Sequence, residues 1–322
     1  MSLFWSLPRR WLAGAAAGLL ALSLAACGDE SGSGSGSDEE KVTLGFVNAD
    51  TIDFHTCLEK AMELEAAAAG AEIIVANSTR DPAKELANVE DMIVRNVDAI
   101  ILQTVNIDSL EGSVEKANAA GIPIFLTSVL GPDPSKILGA ILADVEQSGR
   151  FSGEWLSEDA DGEPVKAAII AGAPGAASDL FVKGFKEALS DNVEVVFEQP
   201  GMFQRAKAQE VAENLLQSHP EVEYVFVPNE EMAFGALTAF ETANRSDIKI
   251  LTHGGSPAGL EALQEGKFVT TVSSTPKDIG HMAVEATLAL LEDPESVEKI
   301  QQIPTQLVTA DNIEDARPYC DD

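Results

Sequence analysis

"EIIVANSTRDPAKELANVEDMIVRNVDAIIL", residues 72–102, holds two strand patterns with a helix between them. The runs at 72–77 and 98–102 are short, β-branched and apolar on both faces, as strands covered by helices on both sides should be. Between them Leu86, Val89, Met92 and Ile93 recur at helical spacing. Asp81 supplies the N-cap and Pro82 the first-turn proline of that helix. Strand, crossover helix and strand make the repeating unit of a parallel sheet.

The same alternation runs outward in both directions. Further strands are predicted at 42–47, 122–127, 138–143, 166–171, 193–198, 223–228, 248–253 and 268–273, with helical patterns filling the gaps. Ten strands in two groups of about five predict an α/β fold of two similar parallel-sheet lobes rather than one large sheet. The 322-residue chain is long enough for two domains of common size. It carries 53 acidic against 21 basic residues, a formal net charge of −32. Nucleic acid is therefore excluded as a partner, because a phosphate backbone calls for clustered Lys and Arg.

The N-terminus reads as an export signal. Arg9-Arg10 precede the uncharged apolar run Trp11–Ala26, too short for a comfortable membrane span. The run ends Leu24-Ala25-Ala26-Cys27, which looks like a bacterial lipoprotein box. On this reading residues 1–26 are a signal peptide and Cys27 carries the lipid. The arginine pair leaves the export route, general or twin-arginine, open. Residues 28–40, "GDESGSGSGSDEE", form a Gly/Ser and acidic tether with nothing to bury; such a chain spans about 20 Å on average. An exported protein meets an oxidising space, so the two remaining cysteines, Cys57 and Cys320, are expected to pair. That bond would pin the tail to the first lobe.

No stretch carries an obvious reaction. There is no phosphate-binding Walker loop, no Gly-x-Gly-x-x-Gly after the first strand, no His-Glu-x-x-His, no Gly-x-Ser-x-Gly and no Cys-x-x-Cys. The four histidines, His55, His219, His253 and His281, are scattered rather than spaced for zinc. Neither a catalytic set, nor a metal, nor a cofactor is expected, and the chain does not read as an enzyme. "AGAPGAAS" (171–178) reads as a tight strand-to-helix turn. "KILTHGGSP" (249–257) runs a strand straight into a histidine and a glycine pair, one lip of a cleft at a sheet edge.

Two stretches, 77–102 and "VPNEEMAFGALTAF" (227–240), closely resemble the type 1 periplasmic sugar-binding proteins, the ribose-binding proteins and their relatives. "GIPIFLT" (121–127), "FKEAL" (185–189), "QSHPEVEYVF" (217–226), "PKDIGHMAVEA" (276–286) and "IPTQLVTADNI" (303–313) follow in the family's order. The resemblance implies two doubly wound lobes joined by a three-strand hinge, the first lobe at 41–143 plus 275–303 and the second at 144–274 plus 304–322. It implies a small-molecule ligand held between them, a permease partner of an ATP-driven importer, and a monomer. A receptor handing its closed form to a signalling partner remains the alternative.

The ligand is expected at the carboxyl ends of the strands, on loops that carry Asn48, Asp50, Asp53 and Arg205. Phe54, Phe203 and Asn229 match ligand positions of the family, and Gln103 replaces a family Asn. Elsewhere the chain departs from the pattern. Ser128-Val129 stand where the family pairs Asp with Arg, Asp179 lies where it keeps another Arg, His253 and Gly254 replace an aromatic and an Asp, and Ser274 replaces a Gln. Ribose specificity is therefore not carried over. A different sugar or a polyol leads. A cation is second, because Asp50, Asp53, Asp179 and Glu230 add acid near the cleft, and a less polar cyclic ligand is third. Phe125 is expected in the core, and His55 beside the cleft at the helix start.

Overall fold

The computed structural model describes residues 41–321. The expected signal peptide (1–26), lipidated Cys27 and tether (27–40) lie outside the described residues.

Strand and helix alternate as the apolar pattern dictates. The first lobe runs β1 (Thr43–Asn48), α1 (Asp53–Ala68), β2 (Glu72–Asn77), α2 (Pro82–Val94), β3 (Ala99–Leu102), α3 (Ile107–Ala119), β4 (Ile124–Leu126) and β5 (Gly139–Ala143). The second runs α4 (Val145–Asp159), β6 (Val165–Ala171), α5 (Ala176–Glu187), β7 (Val193–Pro200), α6 (Arg205–Ser218), β8 (Tyr224–Val227), α7 (Glu230–Thr242), β9 (Lys249–Gly254), α8 (Pro257–Gln264) and β10 (Thr270–Ser273). The chain then returns through α9 (Pro276–Glu292) and β11 (Ile300–Ile303) to the first lobe and ends with β12 (Gln306–Val308) in the second. All ten predicted strands are present, with ends shifted by at most two residues. β11 and β12 carry no sequence signal of their own: they are short, and Gln301, Gln302 and Gln306 interrupt their apolar character.

The first sheet has the order β11-β5-β4-β3-β1-β2 and the second β12-β10-β9-β8-β6-β7. The recorded pairings are parallel except β10 with β12. Each sheet is covered on both faces, so its central strands β1, β3, β4 and β8 are almost wholly buried and apolar, while the edge strands β7, β11 and β12 carry polar residues. Phe46, Phe125 and Ile101 meet α1 and α9 on one face of the first sheet, and Phe125 is fully buried, as a core residue should be. The chain crosses between the lobes three times, at 143–145, 273–276 and 303–306.

The capping that starts α2 is as read: Asp81 accepts from the backbone N–H groups of Ala83 and Lys84, with Pro82 at the first position. The buried face is shifted by one residue. Val89 and Met92 are fully buried, but Leu86 is only half-buried, and the third fully buried residue is Glu85. Its carboxylate accepts from the hydroxyls of Thr104, Ser109 and Ser113 and from the Val105 N–H. A buried carboxylate is tolerated only when it is this fully hydrogen-bonded. It ties α2 to the loop that leaves β3.

After β12 the tail lies first on the second lobe, where Ile313 and Ala316 pack against the α6–α8 core. Cys320 then forms a disulfide with Cys57 of α1, with Cα atoms 5.0 Å apart. Glu85→Ala would leave the Ser113 hydroxyl and the Val105 N–H without a partner among the described residues, while Thr104 and Ser109 keep the Asn106 carbonyl. It is expected to lower the unfolding free energy by about 3 kcal/mol in urea titration; a loss under about 1 kcal/mol would show that the β3–α3 loop is held by something else.

Candidate functional site

The carboxyl ends of both sheets face one another. A Cβ built on Gly175, at the start of α5, would stand 3.8 Å from Ile107 Cγ2 at the start of α3, so the lobes meet at this edge. The loops that follow the strands gather at this edge, where the ligand cleft is expected.

On the first lobe, β1 delivers Asn48, which is fully buried. Its Nδ2 donates to the His55 carbonyl at 3.0 Å and its Oδ1 lies 2.8 Å from His55 Nδ1. Asn48 therefore holds the start of α1 in place; its amide is not free for a ligand. His55 is buried and stands edge-on to Phe54, whose half-buried ring remains at the cleft. Asp50 is also engaged: it pairs with Arg80 and accepts from the Thr51 N–H. Arg80, in the loop between β2 and α2 with a positive φ of 62°, is a partner that sequence reasoning passed over. Asp53 is exposed at the first position of α1. Gln103, after β3, accepts from the Thr127 hydroxyl at 2.6 Å through Oε1, and its Nε2 has no partner among the described residues. The Ser128 hydroxyl, after β4, is buried without a partner among the described residues.

On the second lobe, Gly172 ends β6 with no side chain because the Phe203 ring stands over it; a Cβ there would come within 2.1 Å of Phe203 Cζ. Phe203 holds a positive φ of 54° and stays half-buried. Arg205 turns away from a ligand role: its Nε donates to Glu231 at 3.1 Å and its guanidinium lies 5.1 Å from the Phe234 ring centre. Asp179 is an exposed first-turn acid of α5. Asn229 caps α7, accepting from the Met232 N–H at 2.9 Å through Oδ1, and its Nδ2 has no partner among the described residues.

The "THGGS" loop owes its shape to Glu230. That carboxylate accepts from the N–H groups of Gly255 and Ser256 and from the Thr271 hydroxyl. A Cβ on Gly254 or on Gly259 would fall 2.7 Å or 2.2 Å from Glu230 Cδ. Glycine is required at both because the carboxylate fills the space, and Gly255 also adopts a φ of +87°. Burial raises the Glu230 pKa, and the hydrogen bonds from the Ser256, Gly255 and Thr271 groups oppose that rise. Glu230, read from sequence as a cleft acid, is instead an internal anchor that fixes the loop carrying His253.

His253 keeps some exposed surface at the cleft. Its Nε2 lies 2.8 Å from the hydroxyl of the nearly fully buried Ser274, and its ring stands edge-on to Phe181 with centroids 5.0 Å apart. The protein packed around it holds its pKa down at about 4. Burial does the same for His55, to about 4, against the attraction of Asp50 and with a push from Arg80. Both imidazoles are thus neutral at ordinary pH. On these loops Gln103 Nε2, Ser128 Oγ and Asn229 Nδ2 keep no partner among the described residues, beside the His253–Ser274 pair, and Asp53 and Asp179 are exposed acids.

A folded chain that refuses a proton the unfolded chain accepts loses stability on acidification. From an unfolded value of 6.5 to a folded value of about 4, each imidazole is expected to remove about 2 kcal/mol between pH 7 and pH 5. Urea unfolding of wild type and His253→Asn at both pH values checks this. The variant should lack about 2 kcal/mol of the drop; equal drops would place a protonated imidazole in the folded state.

A model of the periplasmic binding protein domain matches residues 44–295. The ribose import binding protein of Escherichia coli K12 is 33% identical over 250 residues, covering 77% of this chain and 82% of its own. The xylitol-binding protein of Mycolicibacterium smegmatis is 26% identical over 307 residues, covering 93% of this chain and 85% of its own. The solved structure of a solute-binding protein of an ABC transporter from Bacillus halodurans, with bound myo-inositol, superposes with a TM-score of 0.80 at 30% identity, covering 87% of this chain and 98% of that one. The motif match, the two-lobed fold and the cleft at the strand ends agree: the chain belongs to the periplasmic binding protein family, whose members bind solutes and are not enzymes.

Proposed function

We propose that the protein is the extracytoplasmic substrate-binding lipoprotein of an ABC importer, anchored through Cys27, and that it captures a sugar or polyol other than ribose. The observation that carries the ligand class is the charge state of the cleft. Asp50 is neutralised by Arg80 and Glu230 is enclosed by its own loop, so two of the acids that favoured a cation do not reach one. Asp53 and Asp179 remain as exposed acids at the helix starts, and the other open donors and acceptors are amides, hydroxyls and a neutral imidazole, with two half-buried aromatics, Phe54 and Phe203, on the same loops. Hydroxyls pair with such groups and the apolar face of a ring or polyol lies on aromatics. The relatives point the same way, since ribose, xylitol and myo-inositol are uncharged polyhydroxylated compounds.

Function follows from lobe movement. Closure about the three crossings removes the solute from water and presents a joined surface to a permease. Solute binding shifts the population of open and closed forms, with no covalent step. The interactions must also cover ordering and closure, which places the affinity near micromolar, about −8 kcal/mol. The anchor and the monomeric state belong to the same reading.

Thermal-shift screening of the mature protein against aldoses, pentitols, inositols and amines tests it. A solute at 100 times its Kd stabilises by about 2.7 kcal/mol, so at least one neutral polyol is expected to raise the melting temperature by several degrees. Shifts from amines with none from sugars or polyols would overturn the reading. For the anchor, Cys27→Ser is expected to move the protein from the membrane fraction to the soluble one.

A further inference from the structure

The tail beyond β12 leads from one lobe to the other by a path separate from the three crossings. Ala316 packs on the second lobe. One residue later, Arg317 Nε donates to Asp278 of α9 in the first lobe at 2.7 Å. Tyr319 accepts from the Lys277 N–H through its carbonyl. Cys320 is bonded to Cys57. Asp321 closes the path: it accepts from Lys60 through its carbonyl at 2.7 Å, and its carboxylate pairs with Lys277 at 2.8 Å and with His281 at 3.0 Å. Three residues separate Ala316, on the second lobe, from Cys320, bonded to the first, and that segment spans at most about 14 Å when fully extended.

We propose that the disulfide-pinned tail is a fourth link between the lobes, one that limits how far they part.

The strap does not rest on the sugar or polyol reading above. Small-angle scattering of the solute-free mature protein is compared with Cys57→Ala/Cys320→Ala and with wild type reduced by a phosphine. Both treatments are expected to increase the radius of gyration and broaden the distance distribution; identical profiles would overturn the strap.

Discussion

Two buried carboxylates, one in each lobe, fix the loops on which the cleft is built. Glu85 gathers Thr104, Val105, Ser109 and Ser113 at the end of β3. Glu230 gathers Gly255, Ser256 and Thr271 at the end of β9. The loops after parallel strands carry few backbone partners of their own, so an acceptor able to take several donors at once is an efficient way to order them. With both carboxylates turned inward and Asp50 held by Arg80, this part of the cleft is left with neutral polar groups, even though the whole chain carries a net charge of −32.

This separates the charge of the molecule from the chemistry of the site. The excess acid lies largely on solvent-facing positions, where it serves solubility and long-range fields rather than recognition. On the proposed reading, neutral amides and hydroxyls select by hydrogen-bond geometry, since a buried group left unpaired costs about 1–3 kcal/mol. The His253–Ser274 pair stands where the resemblance would place an aromatic and a Gln, and Gly254 where it would place a carboxylate. The space of that lost carboxylate is taken from behind by Glu230.

The sheets were legible in the sequence because strands buried on both faces are short apolar runs, and 72–77, 98–102 and their counterparts stand out from polar surroundings. β11 and β12 were not, since a short strand interrupted by glutamines has no pattern to read. For the candidate site, the structure settles which side chains are already engaged. Phe54, Gln103, Ser128, Phe203, Asn229 and His253 stand on or beside the loops after the strands, while Asn48, Asp50 and Arg205 are taken up by His55, Arg80 and Glu231. Those pairings join distant segments or depend on side-chain direction, which spacing does not encode. Glu85 was missed because its partners lie about twenty residues further on; the hydroxyls at 104, 109 and 113, one helical face apart, were the available signal.

The central claim is that the bound solute is recognised by uncharged groups. Its most direct test is the dissociation constant of the tightest solute, measured by calorimetry at low and at high salt. Neutral recognition predicts the same Kd at about 0.01 M and about 1 M ionic strength, although the Debye length falls from about 30 Å to about 3 Å over that range. A Kd that weakens tenfold or more with salt would mean that the cleft holds its solute by charge, and would contradict the account.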